Sequence, residues 1–471
     1  MPLTILSHGQ LSSLLLSLTR DEITSLQQNL ADALRDYSTG SQEQGCAASY
    51  QPRRTAITRQ NGCTTLFMPA STGQTIGMKM ISLQDGDKAG CATDSGFEIP
   101  EGEKSSSRSR SSGFRSSMSS LSSDMSDLSV SSHEGDQSLS TSSSKSLPSG
   151  CVNQQPVTGE RSSSQVSNTM GAWPGAGTRD TSPQGSVTLL DGDSLPFGLL
   201  NAHELTPFRT ALASTMLFNK RQRVRTVVVF GAGKQAYWHI RLALTLRGPD
   251  IHKVYIINRS FERAAELLKD IYAAENSSWR GDVKFSAVSS DFVEYPRLLN
   301  HAIHKADAIF CCTPSIEPLF PAELLTSREG RQKGRLVSAI GSYKSHMTEL
   351  HPDILRDEVT VHSSHRHFHK HTKRSGVVVV DSLDGALKEA GEIIQAGVKP
   401  SQVVELGELL MVRKESQAGD DDEDAKSLRE WVQRGNVIFK SVGLGLMDLV
   451  TGGDLVRLAR ERNVGTTVED F

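Results

Sequence analysis

The sequence predicts an α/β protein whose second half forms a doubly wound parallel sheet, preceded by a smaller α+β region. Three observations carry that expectation. A β-branched run at residues 226–230 feeds directly into Gly231-Ala232-Gly233. The apolar blocks that follow alternate between the spacings of a helix and a strand as far as Ile340. Upstream, strand-like segments stop near residue 84 and resume at residue 186, so one sheet is interrupted by a long insertion.

The elements follow in order. Residues 3–6 are strand-like, Ser7 is a candidate N-cap, and an amphipathic run extends to about Tyr37. Residues 53–57, 64–68 and 76–82, punctuated by Asn61-Gly62 and closed by Pro69, read as a strand meander. From about Asp85 to Gln184 the composition shifts, and residues 105–149 are dominated by serine with almost no large apolar side chain. Such a segment cannot offset its ordering entropy by burial and is expected to be disordered.

Strand patterns return at residues 186–190 and 197–201, around a turn at Asp191-Gly192-Asp193. Loop closure costs rise only logarithmically with length, so a long insertion inside one sheet is tolerable. A separate meander would have too few strands to stand alone. Residues 204–220 have helical spacing. Next come strand 226–230, helix 235–247, strand 253–258, helix 262–274 and strands 283–288, 308–312 and 335–340. The acidic run at residues 420–424 marks an exposed loop, and residues 437–462 are helical in pattern.

The charge balance excludes some functions. Lys and Arg total 51 against 54 Asp and Glu, a net charge of −3, so there is no global field for nucleic acid or an anionic membrane. Cys46, Cys63, Cys91, Cys151, Cys311 and Cys312 show no CxxC pair and no disulfide-framework spacing, which points to reduced thiols. The apolar patch at residues 11–18 is interrupted by serines and lacks a basic lead or a cleavage site. No apolar stretch approaches the ~20 residues of a membrane span. A soluble, cytoplasmic protein is expected.

Chemistry concentrates at the glycines. Val227 to Phe230 run into Gly-x-Gly-x-x-Ala and then a helix, as a dinucleotide site requires. Gly231 permits the tight turn and Ala232 follows it. Gly233 lets backbone approach a pyrophosphate, Gln235 opens the helix, and small Ala236 allows close helix–strand packing. At the tip of the second strand an NAD site places Asp or Glu, whereas this chain has Asn258-Arg259-Ser260. The Arg259 guanidinium can pair with a 2′-phosphate and Ser260 can donate to it, which favours NADPH over NADH. The histidines between His362 and His371 lie among Lys and Arg with no thiolate nearby, so an exposed loop is expected rather than a metal site.

Several motifs occur together in one order: Gln51-Pro52-Arg53-Arg54-Thr55, Met68-Pro69-Ala70, Lys79, Arg209-Thr210-Ala211, residues 231–237, Asn258-Arg259-Ser260, Glu349-Leu350, Val380-Asp381-Ser382, Glu405-Leu406-Gly407-Glu408 and Phe439-Lys440-Ser441-Val442-Gly443. In these the chain resembles the ornithine cyclodeaminase/mu-crystallin family, in most detail on its mu-crystallin, ketimine reductase-like side.

The resemblance implies a Rossmann domain plus an α+β substrate-binding and dimerisation domain built from both chain ends. The corresponding division is 1–84 and 186–222 for the substrate domain, 85–185 for the insertion, 223–435 for the cofactor domain and 436–471 for returning helices. It also implies a homodimer and a small imino- or amino-acid substrate. By position, Arg54 and Arg209 match carboxylate-clamping arginines and Lys79 the lysine beside the imine. Thr313 lies on the loop passing the cofactor, and Lys440 and Ser441 fall near the nicotinamide end.

Cyclodeaminases carry an aspartate where this chain has Gly341-Ser342-Tyr343-Lys344. A phenol is a poor base at neutral pH but can donate a proton, which makes Tyr343 a candidate catalytic group. The expected activity is NADPH-dependent reduction of a cyclic ketimine carboxylate of the pyrroline- or piperideine-2-carboxylate type. A cyclodeaminase, an alanine dehydrogenase-type activity and a non-catalytic NADPH-binding regulator are the alternatives.

Overall fold

The computed structural model describes residues 2–39, 51–84, 184–360, 377–415 and 423–471. The serine-rich stretch and the histidines from His362 to His371 lie outside the described residues. Among the described residues no helix is long and apolar enough to cross a membrane.

The chain begins with β1 (Leu3–Leu6), α1 (His8–Leu16) and α2 (Arg20–Thr39). The amphipathic run is thus two helices, because Thr19 and Glu22 form a reciprocal cap: the Glu22 N–H donates to Thr19 Oγ1 at 3.3 Å and the Thr19 N–H donates to Glu22 Oε2 at 2.8 Å. The meander is β2 (Thr55–Thr58), β3 (Cys63–Ser71), β4 (Ile76–Gln84), β5 (Gln184–Leu190) and β6 (Pro196–Asn201). Here β3 runs on through Pro69, opposite Met78, since a proline near a strand end removes at most one ladder bond. Strands β4 and β5 are direct antiparallel neighbours with Ser82 opposite Gln184, so the serine-rich stretch departs from and returns to adjoining strands.

Helix α3 (Ala202–Phe218) is buried along its whole length. Then come β7 (Thr226–Phe230), α4 (Lys234–Arg247), β8 (Lys253–Asn258), α5 (Phe261–Ile271), β9 (Lys284–Ser289), β10 (Ala308–Cys311), β11 (Leu336–Ala339), β12 (Val378–Val380), β13 (Val403–Glu405), β14 (Val437–Lys440) and β15 (Thr466–Val468).

Two sheets result. The first is mixed, in the order β15-β1-β6-β5-β4-β3-β2. The second is parallel throughout, in the order β13-β12-β14-β11-β10-β7-β8-β9. From β7 the chain winds out through β8 and β9 on one side and through β10 and β11 on the other. This makes the carboxyl ends of β7 and β10 the switch point where ligands bind in such sheets.

One boundary differs from expectation. Residues 437–440 are not helical but form β14, paired in register with both β11 and β12, so the parallel sheet continues past residue 435. All four of its residues are buried, and three apolar residues followed by a lysine are too short a run to show a period that tells strand from helix. The helix Gly445–Glu461 follows and packs on the inner face of the first sheet.

Candidate active site

A cleft with about 1280 Å³ of empty space, open to solvent, lies between the carboxyl ends of β7, β10 and β11 and the inner face of β3 and β4. At its cofactor end Gly231 has φ +109°, and its N–H donates to Ile257 O at 2.8 Å. A Cβ there would sit 2.9 Å from the Cys312 carbonyl oxygen. Gly233 is the N-cap of α4, with no side-chain cap, and a Cβ there would meet nothing within 4 Å. The backbone is therefore bare where the positive end of the helix faces the cleft, a seat suited to a pyrophosphate. Ala232 and Gln235 line this end, and Gln235 Oε1 is buried with no hydrogen-bond partner in the structure. Ala236 is fully buried against the sheet.

At the tip of β8 the residues separate. Asn258 lines the cleft and its Nδ2 donates to Ser260 O at 2.8 Å. Arg259 is exposed and is not a lining residue; its carbonyl accepts from Ser289 Oγ at 2.8 Å. Ser260 does not line the cleft either. It caps α5, accepting from the Arg263 N–H at 3.3 Å while its hydroxyl donates to Glu262 at 2.7 Å. Arg263, which sequence reasoning passed over, lines the cleft instead. Its signal was the helical offset that puts an N3 side chain back over the strand tip.

At the substrate end Lys79 points inward from β4, only 1% exposed, with Nζ donating to Asp448 Oδ1 at 2.8 Å. Arg209 on α3 approaches the other oxygen, Nε to Asp448 Oδ2 at 3.3 Å, and its Nη1 lies 3.2 Å from Met447 Sδ. Burial pulls the Lys79 ammonium down to about 8, with Asp448 opposing the fall and Arg209 and Arg54 adding to it. Arg54 lines the cleft but is paired with Glu389, to which Nε donates at 2.8 Å, and its Nη2 donates to Tyr343 O at 3.2 Å. Tyr343 is also a lining residue. Neither Asp448 nor Glu389 was singled out from sequence, because each is defined by a partner hundreds of positions away.

Behind the lining lies a buried polar knot. Glu349 accepts from the Thr313 N–H at 2.8 Å and the Gly341 N–H at 2.6 Å, tying together the loops after β10 and β11. Burial pushes its carboxyl up to about 7, against the pull of Lys440. Thr313 lines the cleft, but Lys440 does not: its Nζ donates to Ser342 O at 2.5 Å and lies 3.7 Å from Glu392. Lys440 thus stands behind the cleft lining rather than in it. Ser441 does line the cleft, and its hydroxyl donates to Asp381 Oδ2 at 2.6 Å. Successive residues at a strand end point to opposite sides, so only one of the two can face the cleft.

With this geometry in view, residues 186–404 match the model of the ornithine cyclodeaminase/mu-crystallin family. The chain is therefore similar to members of this family across its cofactor-binding half. It is 28% identical to a Delta(1)-pyrroline-2-carboxylate reductase of Bacillus cereus over 58% of this chain and 70% of that protein. It is 25% identical to the ketimine reductase mu-crystallin of Rattus norvegicus over 57% of this chain and 67% of that protein. The structure of Thermococcus litoralis Delta(1)-pyrroline-2-carboxylate reductase, in complex with NADH and L-proline, superposes with a TM-score of 0.58 at 18% identity. That match covers 99% of this chain and 100% of the other and supports the family fold.

Proposed function

We propose that this protein reduces a cyclic ketimine carboxylate, of the pyrroline- or piperideine-2-carboxylate type, to the cyclic amino acid with NADPH. The observation that carries the reading is the composition of the cleft wall. Beyond the glycine loop it presents Arg54, Lys79 and Arg209 beside apolar Leu66, Ile81, Leu83 and Pro207, and among the described lining residues there is no Asp or Glu. Cations at one point and hydrocarbon around them suit a small carboxylate carried on an apolar ring. A substrate with a second ammonium group would find no counter-ion free of an arginine or lysine partner among these groups, and deaminating cyclisation no unpaired carboxylate base, since Glu389 and Asp448 are ion-paired to Arg54, Lys79 and Arg209. The relatives named as cyclic-imine reductases agree with this chemistry.

The residues fit a nicotinamide dinucleotide: Gly231, Ala232, Gly233 and Gln235 at the pyrophosphate, Asn258 and Arg263 towards the adenosine ribose, and Thr313 and Ser441 along the nicotinamide side. When bound, the reduced nicotinamide supplies the two electrons of the reaction. Arg209 holds the substrate carboxylate, joined by Arg54 once that carboxylate takes the place of Glu389. Lys79 gives its proton to the ring nitrogen, and Tyr343 closes the same side of the cleft. Arg263, with Arg259 at the rim, favours the 2′-phosphate of NADPH over NADH.

A second copy of the chain belongs on the outer face of the first sheet. There Ile57, Ile76, Met78 and Met80 are exposed together, and a homodimer would cover them. Sedimentation of the purified protein reads that mass directly.

The deciding assay follows NADPH absorbance with a panel of cyclic ketimines, α-keto acids and ornithine. Consumption with the ketimines supports the reading. Tight NADPH binding with no turnover of any compound would leave a binding protein instead, and ammonia released from ornithine would restore the cyclodeaminase.

A further inference from the structure

We propose that Asp448 is a positioning residue for imine reduction: its carboxylate holds Lys79 and Arg209 in one buried cluster and keeps Lys79 charged where the substrate nitrogen arrives. The inference rests on the imine-reduction reading above.

The geometry is unusual in its charge count. The side chains of Lys79, Arg209 and Asp448 are 1%, 5% and 0% exposed, so water screens none of them. Two cations share one carboxylate, which leaves one positive charge uncompensated in a buried place. The sharing is also incomplete. Asp448 Oδ1 takes the Lys79 hydrogen bond, whereas Asp448 Oδ2 and Arg209 Nε, 3.3 Å apart, are both buried with no hydrogen-bond partner in the structure. An anionic substrate supplies the missing charge. The cluster is therefore completed by a carboxylate at Arg209, while Lys79 remains fixed to Asp448.

The charged and titratable groups that face Lys79 can be named element by element. Asp448 comes from the helix Gly445–Glu461, Arg209 from α3 and Arg54 from the segment before β2, while His203 of α3 and Tyr343 of the loop after β11 line the same cleft. Asp448 is the acid among them. Burial and the two arginines all favour the neutral amine, so Asp448 is what keeps the proton on Nζ. In the reaction the Nζ–H bond breaks as the substrate N–H bond forms. The ring carbon is reduced as the nicotinamide is oxidised, and Lys79 is recharged from water.

The test is the pH dependence of kcat/KM over about pH 6–9, measured with NADPH and the best ketimine of the panel. Asp448→Asn should move the alkaline limb down by about 1–3 pH units, cutting activity at pH 8 by about tenfold or more and recovering part of it at lower pH. A merely structural role would lower activity at every pH without moving the limb.

Arg209→Gln should move the limb the other way, to higher pH, because it leaves Asp448 to Lys79. If Asp448→Asn does not fold, Asp448→Ser is measured in its place, with the same downward shift expected. A limb unmoved in whichever variant folds overturns the role of Asp448 while leaving imine reduction standing. A wild-type protein that turns over no ketimine overturns both.

Discussion

Gly233→Ala separates cofactor binding from folding. Gly233 has φ −99°, which any residue adopts, and the added Cβ meets no atom within 4 Å. The folded protein therefore accepts the methyl group, and stability is expected to change by less than about 0.5 kcal/mol. A bound pyrophosphate does not accept it, because the methyl group occupies the space through which the backbone approaches the phosphate oxygens. Losing one charge-assisted hydrogen bond costs about 1.5–3 kcal/mol, or roughly 10–100-fold in Kd for NADPH.

The effect can be read in a melting experiment. At an NADPH concentration about 100 times the wild-type Kd, the ligand stabilises the wild type by about 2.7 kcal/mol, whereas a variant bound about 100-fold more weakly keeps about 0.4 kcal/mol. Thermal unfolding with and without NADPH, together with a fluorescence titration of the reduced nicotinamide, measures both quantities. Gly231→Ala is the contrasting control. At φ +109°, with a Cβ 2.9 Å from a carbonyl oxygen, it should lose about 1–3 kcal/mol of stability even without ligand. If Gly233→Ala melts like the wild type and also binds NADPH like the wild type, the pyrophosphate does not lie over this glycine.

Arg263→Asp is expected to weaken NADPH by about tenfold or more while leaving NADH nearly unchanged. Arg259→Asp should do less, since its side chain stands at the exposed rim. Isothermal titration with both nucleotides checks this, and equal losses for the two would remove the 2′-phosphate from Arg263. Glu349 supplies a pH prediction. Its folded carboxyl is raised to about 7 from an ordinary 4.5, so the native state retains a proton that the unfolded chain has released between those values. The stability it contributes is complete below about pH 4.5 and is lost as pH rises through about 7. Glu349→Gln should flatten that decline in urea unfolding measured at several pH values, and an unchanged slope would show that another group causes it.

How much of this was legible in the sequence follows from how local each signal is. Strand 226–230, the glycines and strand 253–258 were readable because a buried parallel strand, a bare turn and a helix start leave marks within a few residues of each other. A three-residue strand such as Val403–Glu405 is too short to leave such a mark, and the three apolar residues of β14 fit either period. The same limit governs the site. Arg54, Lys79 and Arg209 were named from motifs and do line one cleft, yet they are ion-paired with Glu389 and Asp448, which no local pattern distinguishes from surface acids.

Lys440 and Ser441 show the converse case. They are neighbours in one motif, but the strand's alternation sends the serine to the cleft and the lysine to the carboxylates behind it. A motif can therefore mark two different jobs at once. The carboxylates behind the cleft align the loops, and those within the cluster set charge. A substitution at Lys440 should accordingly act through the alignment of Thr313 and Gly341 rather than through contact with the nucleotide.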